Sequence, residues 1–273
     1  MSLPRSSRIN LLTKGPLSKR NDKFGYANRC VTILYGEGYF GRLRQRTVLS
    51  ALFFCERRLD HHDPAHVDRT EQITAELHQL YPEANCALDH GTAHELLFAT
   101  IMSAQTTDVN VNRVTVQLFL KYRSVADFAA ADLETFQEEI RSTGFFRNKA
   151  KNVLGAARML MDEYNGQVPD TMDDLLRLPG VARKTANVVL GTWFGKAEGF
   201  VVDTHVKRLA FRLGFTKQTD PVKVERDLRA AFPQDAWTFL GHAIILHGRQ
   251  VCDARKPACE TCTLRPVCPR NGV

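Results

Sequence analysis

Four cysteines crowd the last 22 residues of the chain, and they constrain the fold more than any other feature. Cys252, Cys259, Cys262 and Cys268 follow the pattern C-x6-C-x2-C-x5-C in a proline-rich segment. Four thiolates on such a short segment can surround one metal centre. A structural zinc site usually has two C-x2-C pairs, and only one occurs here. The unequal spacing therefore favours the larger [4Fe–4S] cluster, with zinc as the alternative.

The remaining cysteines, Cys30, Cys55 and Cys86, are scattered. An odd total of seven and the lack of a secretory signal argue against a disulfide framework and favour a reduced, intracellular protein. With 44% hydrophobic and 25% charged residues among 273, the chain is neither disordered nor collagen-like. No apolar run approaches the roughly 18 residues that a membrane helix needs. We expect one or two globular domains and no membrane partner.

The net charge of +7 lies entirely in residues 1–66, where 12 Lys and Arg face 5 Asp and Glu. The rest of the chain holds 25 residues of each sign, so a polyanion-binding surface there must come from clustering. Arg141 to Arg158 holds five basic residues and no acid, and Arg177 to Lys217 holds eight against two. Each stretch alone is compatible with a solvated helix face. Together they favour nucleic-acid binding.

Residues 1–65 differ from the rest and show neither helical nor strand periodicity. We expect a basic N-terminal extension, poorly ordered and dispensable. Three interpretations remain open: an organellar transit peptide, a basic arm on DNA, or an upstream extension read from an incorrect start codon.

From about Val67 the pattern becomes helical, and nothing alternates like a strand. Ser124, Asp132 and Asp220-Pro221 are typical helix starts, and Gly214 is a typical helix end. The sequence predicts an all-α fold of about ten short helices. The apolar positions that recur at helical spacing include Ile73, Leu77, Leu80, Val111, Val114, Leu118, Tyr122, Ala186, Val189, Leu190 and Trp193.

The segment Leu178–Ala186, which we call the hairpin, reads LPGVARKTA and lies between two helical patterns. A Pro-Gly turn that opens into a helix presents unpaired backbone amides, which suit a phosphate oxygen. Gly180, Ala182 and Arg183 are therefore candidate DNA-binding residues. The alternative is an ordinary helix–helix turn.

Lys184 lies within this hairpin, in the first turn of its second helix, about 200° around that helix from the apolar stripe. An isolated lysine there is usually a solvated surface residue. A lysine amine held near cations such as Arg183 and shielded from water can lose its proton and act as a nucleophile. Asp203 follows in the string VVDTHV, where it fits a helix N-cap and remains available as a base or electrostatic stabiliser.

The hairpin lysine, the aspartate 19 residues later and the cysteine pattern together resemble the endonuclease III family over about residues 67–273. The resemblance implies a bifunctional DNA glycosylase and AP lyase that removes oxidised pyrimidines by β-elimination. Its expected partner is double-stranded DNA with oxidised pyrimidines or abasic sites. It further implies a cytoplasmic, nucleoid-associated protein, for which we expect a monomer. Organellar targeting by residues 1–65 is the less favoured alternative.

The resemblance also implies a two-lobed helix-hairpin-helix DNA glycosylase fold. Residues 86–196 would form a six-helix barrel domain with the hairpin. Residues 66–85 and 197–273 would form the [4Fe–4S] cluster domain, and the DNA cleft would lie between the two.

For the chemistry, the resemblance makes Lys184 the nucleophile and Asp203 its assistant, with Asp108 and His205 as further candidates near the site. It places Gln105 in the gap left by the extruded base. Phe145 would wedge the opposite strand. Four cysteines, Cys252, Cys259, Cys262 and Cys268, would hold the cluster.

Two positions depart from the family pattern. Ala182 replaces the second hairpin glycine, which would cost roughly 1 kcal/mol if positive φ is required there. Phe145 is bulkier than the leucine expected at its position.

Three alternatives lead to different expectations. An adenine or thymine mismatch glycosylase of the same superfamily would lack lysine at position 184. A non-catalytic DNA-binding iron–sulfur protein would tolerate replacement of Lys184 or Asp203. A zinc-stapled transcription factor would be colourless.

Overall fold

The computed structural model describes residues 64–273, with side chains from Arg69 onwards. Within that range the chain is helical and contains no strand, as the sequence predicted. There are eleven α-helices in this range: α1 Pro64–Leu80, α2 Ala93–Met102, α3 Asp108–Lys121, α4 Val125–Ala130, α5 Leu133–Glu139, α6 Phe146–Tyr164, α7 Met172–Arg177, α8 Arg183–Thr192, α9 Thr204–Arg212, α10 Pro221–Ala231 and α11 Trp237–Gln250. Single 3₁₀ turns cover Arg141–Thr143, Gln234–Ala236 and Arg265–Val267.

The predicted helix starts and stops are confirmed. Ser124 caps α4 in a reciprocal capping box with Asp127, and Asp132 caps α5. Asp220 caps α10, whose first residue is Pro221. Gly214 follows α9 with a φ of +76°, the left-handed conformation that ends a helix. These signals act within a few residues, which explains why the sequence alone reveals them.

The first of two hydrophobic cores lies among α2 to α8. Its centre is aromatic, with the rings of Phe98 and Phe128 4.7 Å apart and Tyr122 5.1 Å from Phe128. Apolar residues of α6, such as Leu154 and Leu160, are fully buried against them. This core forms the lobe that carries the hairpin.

The second core joins α1 to α9, α10 and α11. Ile73 and Leu77 of α1 are fully buried in it, whereas Leu80 is 38% exposed and Tyr81 takes the buried position instead. The expectation that Leu80 shares the buried face was therefore wrong by one residue. Trp193, at the end of α8, is likewise exposed rather than part of the buried stripe.

A short extended segment connects the two cores. Phe200 and Val202 pack in the second core, and Val201 between them packs in the first. Since successive side chains of an extended chain point to opposite sides, the segment is anchored on both faces. Asp203 follows directly, so its position is fixed by both cores.

Residues 1–63 lie outside the described part of the chain. The prediction that the N-terminal extension is poorly ordered concerns these residues and stays a prediction. The exact boundaries at residues 66, 86 and 197 stay predictions. No helix of residues 64–273 combines the length and the apolar character needed to cross a bilayer.

Candidate active site and DNA interface

Lys184 is the second residue of α8 and is exposed. The apolar face of α8 carries Ala186, Val189 and Leu190, all fully buried, so the side of the helix opposite them holds the lysine. Among residues 64–273 the Lys184 amine makes no hydrogen bond or ion pair. The amine is therefore free to meet a ligand.

Asp203 caps α9, as its sequence context predicted. Its Oδ1 accepts hydrogen bonds of 2.8 Å from the backbone N–H groups of both His205 and Val206. Its Oδ2 has no partner within the described residues. One oxygen thus orients the carboxylate, and the other is available for chemistry.

A cleft of about 550 Å³ brings the predicted catalytic residues together. Lys184 and Asp203 both line it, and Asp108 at the start of α3 lines it as well. Arg249 of α11 donates a 2.8 Å hydrogen bond to Asp108 Oδ2, which joins α3 to α11 at this cleft. Two residues of α11, Arg249 and His242, were not expected from the sequence.

His242 is buried in the wall of the cleft. Burial lowers its pKa to about 4, so its imidazole is neutral at pH 7. Its Nε2 is enclosed and has no hydrogen-bond partner within residues 64–273. No motif in the sequence marked this residue, because nothing local distinguishes it from the other histidine of α11, His247.

Arg183, predicted to bind DNA, is engaged within the protein. Its Nε and Nη2 donate to the two carboxylate oxygens of Glu225 at 2.6 and 2.9 Å. Hydrogen bonding to Glu225 raises the pKa of the guanidinium. A third of the Arg183 side chain is exposed, and Glu225 occupies its Nε and Nη2 but not its Nη1. A DNA contact by Arg183 stays a prediction.

Of the two hairpin positions at which the family pattern has glycine, Gly180 and Ala182, only the first requires it. Gly180 has a φ of +78°, and a Cβ there would lie 2.7 Å from Cβ of Asn152 on α6. Ala182 caps α8 with a φ of −104°, in the extended region that any residue adopts. The strain that we considered for Ala182 is therefore absent, because positive φ is not required there.

Gln105 and Phe145 are both exposed and both left-handed, with φ of +56° and +48°. Bulky residues rarely adopt this conformation, which is common at functional sites. Asn110 joins their loops: its amide nitrogen donates to Thr106 Oγ1 at 3.2 Å and to the Ser142 carbonyl at 2.8 Å. Neither Gln105 nor Phe145 lines the cleft of Lys184.

The two basic stretches contribute fewer free cations than the sequence suggested. Lys149 is 4% exposed, donates to the Thr143 carbonyl at 2.7 Å, and has a pKa lowered by burial. In the second stretch, five of eight cations are engaged within the protein: Arg177 with Glu163, Arg183 with Glu225, Lys196 with Asp170, and Arg208 and Arg212 with backbone carbonyls. Linear charge clustering therefore overstated the basic surface.

His205 does not line the cleft. Its Nδ1 accepts a 3.1 Å hydrogen bond from Arg208, which also donates to the Gly248 carbonyl at 2.7 Å. Arg208 also donates to the Cys252 carbonyl at 2.9 Å, so it links His205 to the first residue of the cysteine segment.

The four C-terminal cysteines are free thiols that line one apolar pocket: Cys252, Cys259, Cys262 and Cys268. In residues 64–273 no three His, Cys, Asp or Glu side chains converge closely enough to hold a single metal ion. Four thiols distributed around a cavity fit the corners of a [4Fe–4S] cluster. The donor set is therefore suited to that group.

Arginines hold this cysteine segment in place. Arg212 of α9 is buried and donates to the carbonyls of Asp253 and Ala254 at 2.6 and 2.8 Å and to Cys252 Sγ at 3.2 Å. Burial raises the pKa of the Cys262 and Cys268 thiols.

Comparisons with known proteins identify the family of the chain. The family model described as "HhH-GPD superfamily base excision DNA repair protein" matches residues 98–234. Endonuclease III of Synechocystis sp. is 54% identical over 201 residues, which cover 74% of this chain and 92% of that protein. A solved non-covalent endonuclease III–DNA complex is 42% identical with a TM-score of 0.71, covering 75% of this chain and 95% of that one. A trapped endonuclease III–DNA covalent intermediate gives the same TM-score and identity, with coverages of 75% and 96%. The chain belongs to the endonuclease III family of base excision DNA repair enzymes.

Proposed function

We propose that this base excision repair DNA glycosylase and AP lyase removes oxidised pyrimidines from double-stranded DNA, with Lys184 as its nucleophile. One observation carries the proposal. The Lys184 amine and one oxygen of the Asp203 carboxylate have no partner among residues 64–273, and the two residues line the same cleft, each at the N-terminus of a helix. The amine can attack carbon, and the carboxylate can take a proton or stabilise positive charge.

In the proposed reaction, the neutral Lys184 amine attacks C1′ of the deoxyribose, and the bond from C1′ to the base breaks. The departing base takes the bonding electrons. Asp203 accepts the lysine proton or stabilises positive charge on the sugar. The C1′–O4′ bond then breaks, O4′ takes up a proton, and the opened sugar is held as a protonated Schiff base on the Lys184 nitrogen. This Schiff base acidifies the C2′ hydrogen, and loss of that proton expels the 3′ phosphate by β-elimination. A solved endonuclease III–DNA structure described as a trapped covalent intermediate supports a covalent route.

The damaged nucleotide must leave the helix before this attack. Extrusion costs a few kcal/mol, which groups that fill the gap can offset. We assign this role to Gln105 and Phe145, because both are exposed on loops that Asn110 joins. The amides of the hairpin at Gly180 and Ala182 would hold phosphate, since the first backbone N–H groups of α8 have no partner within the helix.

The four cysteines, Cys252, Cys259, Cys262 and Cys268, would hold a [4Fe–4S] cluster. When bound, the cluster supplies a covalent crosslink of the C-terminal segment and no step of the reaction. Its neighbouring loop carries Arg255 and Lys256, both exposed, whose backbone N–H groups donate to Asp253 Oδ1 at 2.8 and 3.2 Å. This turn would present two cations to DNA.

We further propose a monomer that works in the cytoplasm on nucleoid DNA. The proposal rests on the location of the substrate and on the bacterial source of similar proteins such as that of Synechocystis sp..

Borohydride trapping on a duplex with thymine glycol tests the assignment. We expect the wild type to form a covalent adduct and Lys184→Gln to form none. Lys223→Gln is the matched control, since Lys223 is another exposed lysine in the first turn of a helix but lies outside the cleft. An adduct that persists in Lys184→Gln would identify another amine as the nucleophile.

Two further outcomes separate the alternatives. Release of adenine or thymine from mismatched duplexes, without release of thymine glycol, would identify a mismatch glycosylase. Protein that binds the duplex but releases no base and forms no adduct would identify a DNA-binding protein only.

For the cofactor, absorbance at about 400 nm and about four irons per chain are expected, and a colourless zinc protein would overturn the assignment.

A further inference from the structure

Glu225 of α10 is a buried carboxylate outside the cleft. Only 5% of its side chain is exposed, and both of its oxygens accept hydrogen bonds from Arg183, at 2.6 and 2.9 Å. A two-point contact between a guanidinium and a carboxylate fixes direction as well as distance. Arg183 immediately precedes Lys184 in the first turn of α8. The contact therefore orients the turn that carries the nucleophile.

Glu225 also reaches the chain that leads to Asp203. Asn187, one turn beyond Arg183 on α8, donates from its amide nitrogen to Glu225 Oε1 at 3.2 Å and to the Phe200 carbonyl at 3.0 Å. Phe200 begins the extended segment that ends at Asp203. One carboxylate thus connects, within two hydrogen bonds, the backbone that carries Lys184 and the backbone that carries Asp203.

Gly199 shows how tightly this junction is packed. A Cβ on Gly199 would lie 1.9 Å from Oε1 of Glu225 and 2.9 Å from Nδ2 of Asn187. Only a residue without a side chain lets the backbone approach the carboxylate this closely. The junction of α8, α10 and the 199–203 segment therefore leaves Glu225 little freedom to move.

We propose that Glu225 is a positioning residue that sets the distance between the Lys184 amine and the Asp203 carboxylate. It acts on Lys184 through Arg183 and on Asp203 through Asn187 and Phe200. The inference rests on the proposed function, because it concerns the two residues that carry the chemistry.

The expected effect is on rate rather than on DNA affinity. Misplacing reacting groups by about 1 Å can lower a rate by about 100-fold. Replacing a whole buried ion pair by apolar residues is often neutral for stability, whereas removing one partner is strongly destabilising because the other charge stays buried. Arg183 would then serve α8 and not a DNA phosphate, which is the alternative role for this arginine.

The test uses the full-length holoprotein and measures two quantities on abasic-site duplex. One is the single-turnover rate of strand cleavage at saturating protein, and the other is the Kd for the duplex. Glu225→Gln keeps the shape of the side chain but removes the acceptor for one of the two Arg183 hydrogen bonds. We expect its cleavage rate to fall about 10- to 100-fold and its Kd to stay within about threefold of the wild type.

Arg183→Gln breaks the same ion pair from its more exposed side, so it provides a second variant if Glu225→Gln does not fold. We expect the same loss of rate, and we expect the double variant to be no slower than the slower single variant, because both changes break one link. Glu163→Gln, which breaks an exposed ion pair with Arg177 outside the cleft, is the matched control and should behave as the wild type.

Three results would overturn the inference. Wild-type cleavage rates in both folded variants would show that the contact does not position the lysine. A raised Kd in Arg183→Gln alone, with unchanged rates, would assign Arg183 to DNA. Failure of both variants to fold would assign the pair to stability. Borohydride trapping of the wild type separates these from failure of the proposed function, because only that failure abolishes the wild-type adduct.

Discussion

Asp203 uses one carboxylate oxygen to cap α9, and its other oxygen, in the cleft that Lys184 lines, has no partner among residues 64–273. The two roles are separable because they belong to different atoms. A helix cap needs an acceptor, which an amide oxygen also provides, whereas proton transfer needs a carboxylate.

Asp203→Asn should therefore retain stability and lose activity. Asparagine caps helices about as well as aspartate, so we expect an unfolding free energy within about 1 kcal/mol of the wild type. Loss of the carboxylate should slow base release about 10²- to 10⁴-fold. Single-turnover base release and thermal unfolding measure the two effects.

Asp203→Ala serves as the comparison. It removes the cap as well, at about 1 kcal/mol, so it should lose both stability and activity. Equal activity in Asp203→Asn and the wild type would restrict Asp203 to its structural role.

Phe145→Ala should affect duplex substrates without affecting the fold. Phe145 is 66% exposed, so its truncation removes little buried surface. Without the wedge, base release from a thymine glycol duplex should fall by about tenfold or more, because extrusion of a base costs a few kcal/mol.

Phe145→Leu is the control and should remain near the wild type, since leucine also fills the gap. Base release is measured under single-turnover conditions, on duplex and on single-stranded substrate. If Phe145→Ala acts equally on both, the wedge role is refuted.

Gly199→Ala should impair both stability and rate. Its new Cβ would lie 1.9 Å from Glu225 Oε1, and relieving this clash costs about 1 to 3 kcal/mol. Displacement of Glu225 should also lower the single-turnover cleavage rate.

Gly195→Ala provides the contrast. Gly195 has a φ of +64°, and no neighbouring atom lies within 4 Å of the point that a Cβ would occupy, so alanine should cost about 1 kcal/mol through strain alone. Its cleavage rate should be unchanged. Similar rates for the two alanine variants would disconnect the Glu225 junction from catalysis.

His242 should make the protein less stable in mild acid. Burial lowers its pKa from 6.5 to about 4; Asp108 and Asp203 oppose this shift and Lys184 adds to it. Between these two values the unfolded chain binds more protons, so the contribution of His242 is full above pH 6.5 and is lost as the pH falls toward 4. Between pH 7 and pH 5 the loss amounts to about 2 kcal/mol.

His242→Gln should remove this part of the pH dependence. Thermal unfolding at pH 7 and pH 5 is compared for the wild type, His242→Gln and His78→Gln, a control at an exposed histidine. We expect the control to follow the wild type. Parallel behaviour of all three proteins would show that His242 is not kept neutral by the fold.

Local signals carried most of the correct fold prediction. Helix starts at Ser124, Asp132 and Asp220 depend on a hydrogen bond from the backbone amide three residues later, so a single residue type reveals them. Exposure of Leu80 and Trp193 was not predictable in this way. Both residues lie at helix ends, beyond the surface against which the helix packs. At such positions the helical spacing of apolar residues no longer predicts which side chain is buried.

The candidate site likewise contains residues that local sequence patterns reveal and residues that only contacts between distant segments reveal. Lys184 and Asp203 lie in motif-like strings, and the structure places them in one cleft, although their roles stay predictions. Glu225 pairs with Arg183 across 42 residues of sequence, and nothing in the local pattern of α10 marks it. Contacts between distant segments also explain why clustered basic residues in the sequence do not form an equally basic surface.

The hydrogen bonds of Asn110 have a mechanical consequence. One amide group holds the loop that presents Gln105 and, through the Ser142 carbonyl, the loop that presents Phe145. A displacement of either loop is transmitted to the other through a side chain anchored in the first turn of α3. On the proposed function, the two side chains would enter the DNA together, so that the enzyme tests both strands at a base pair in a single movement.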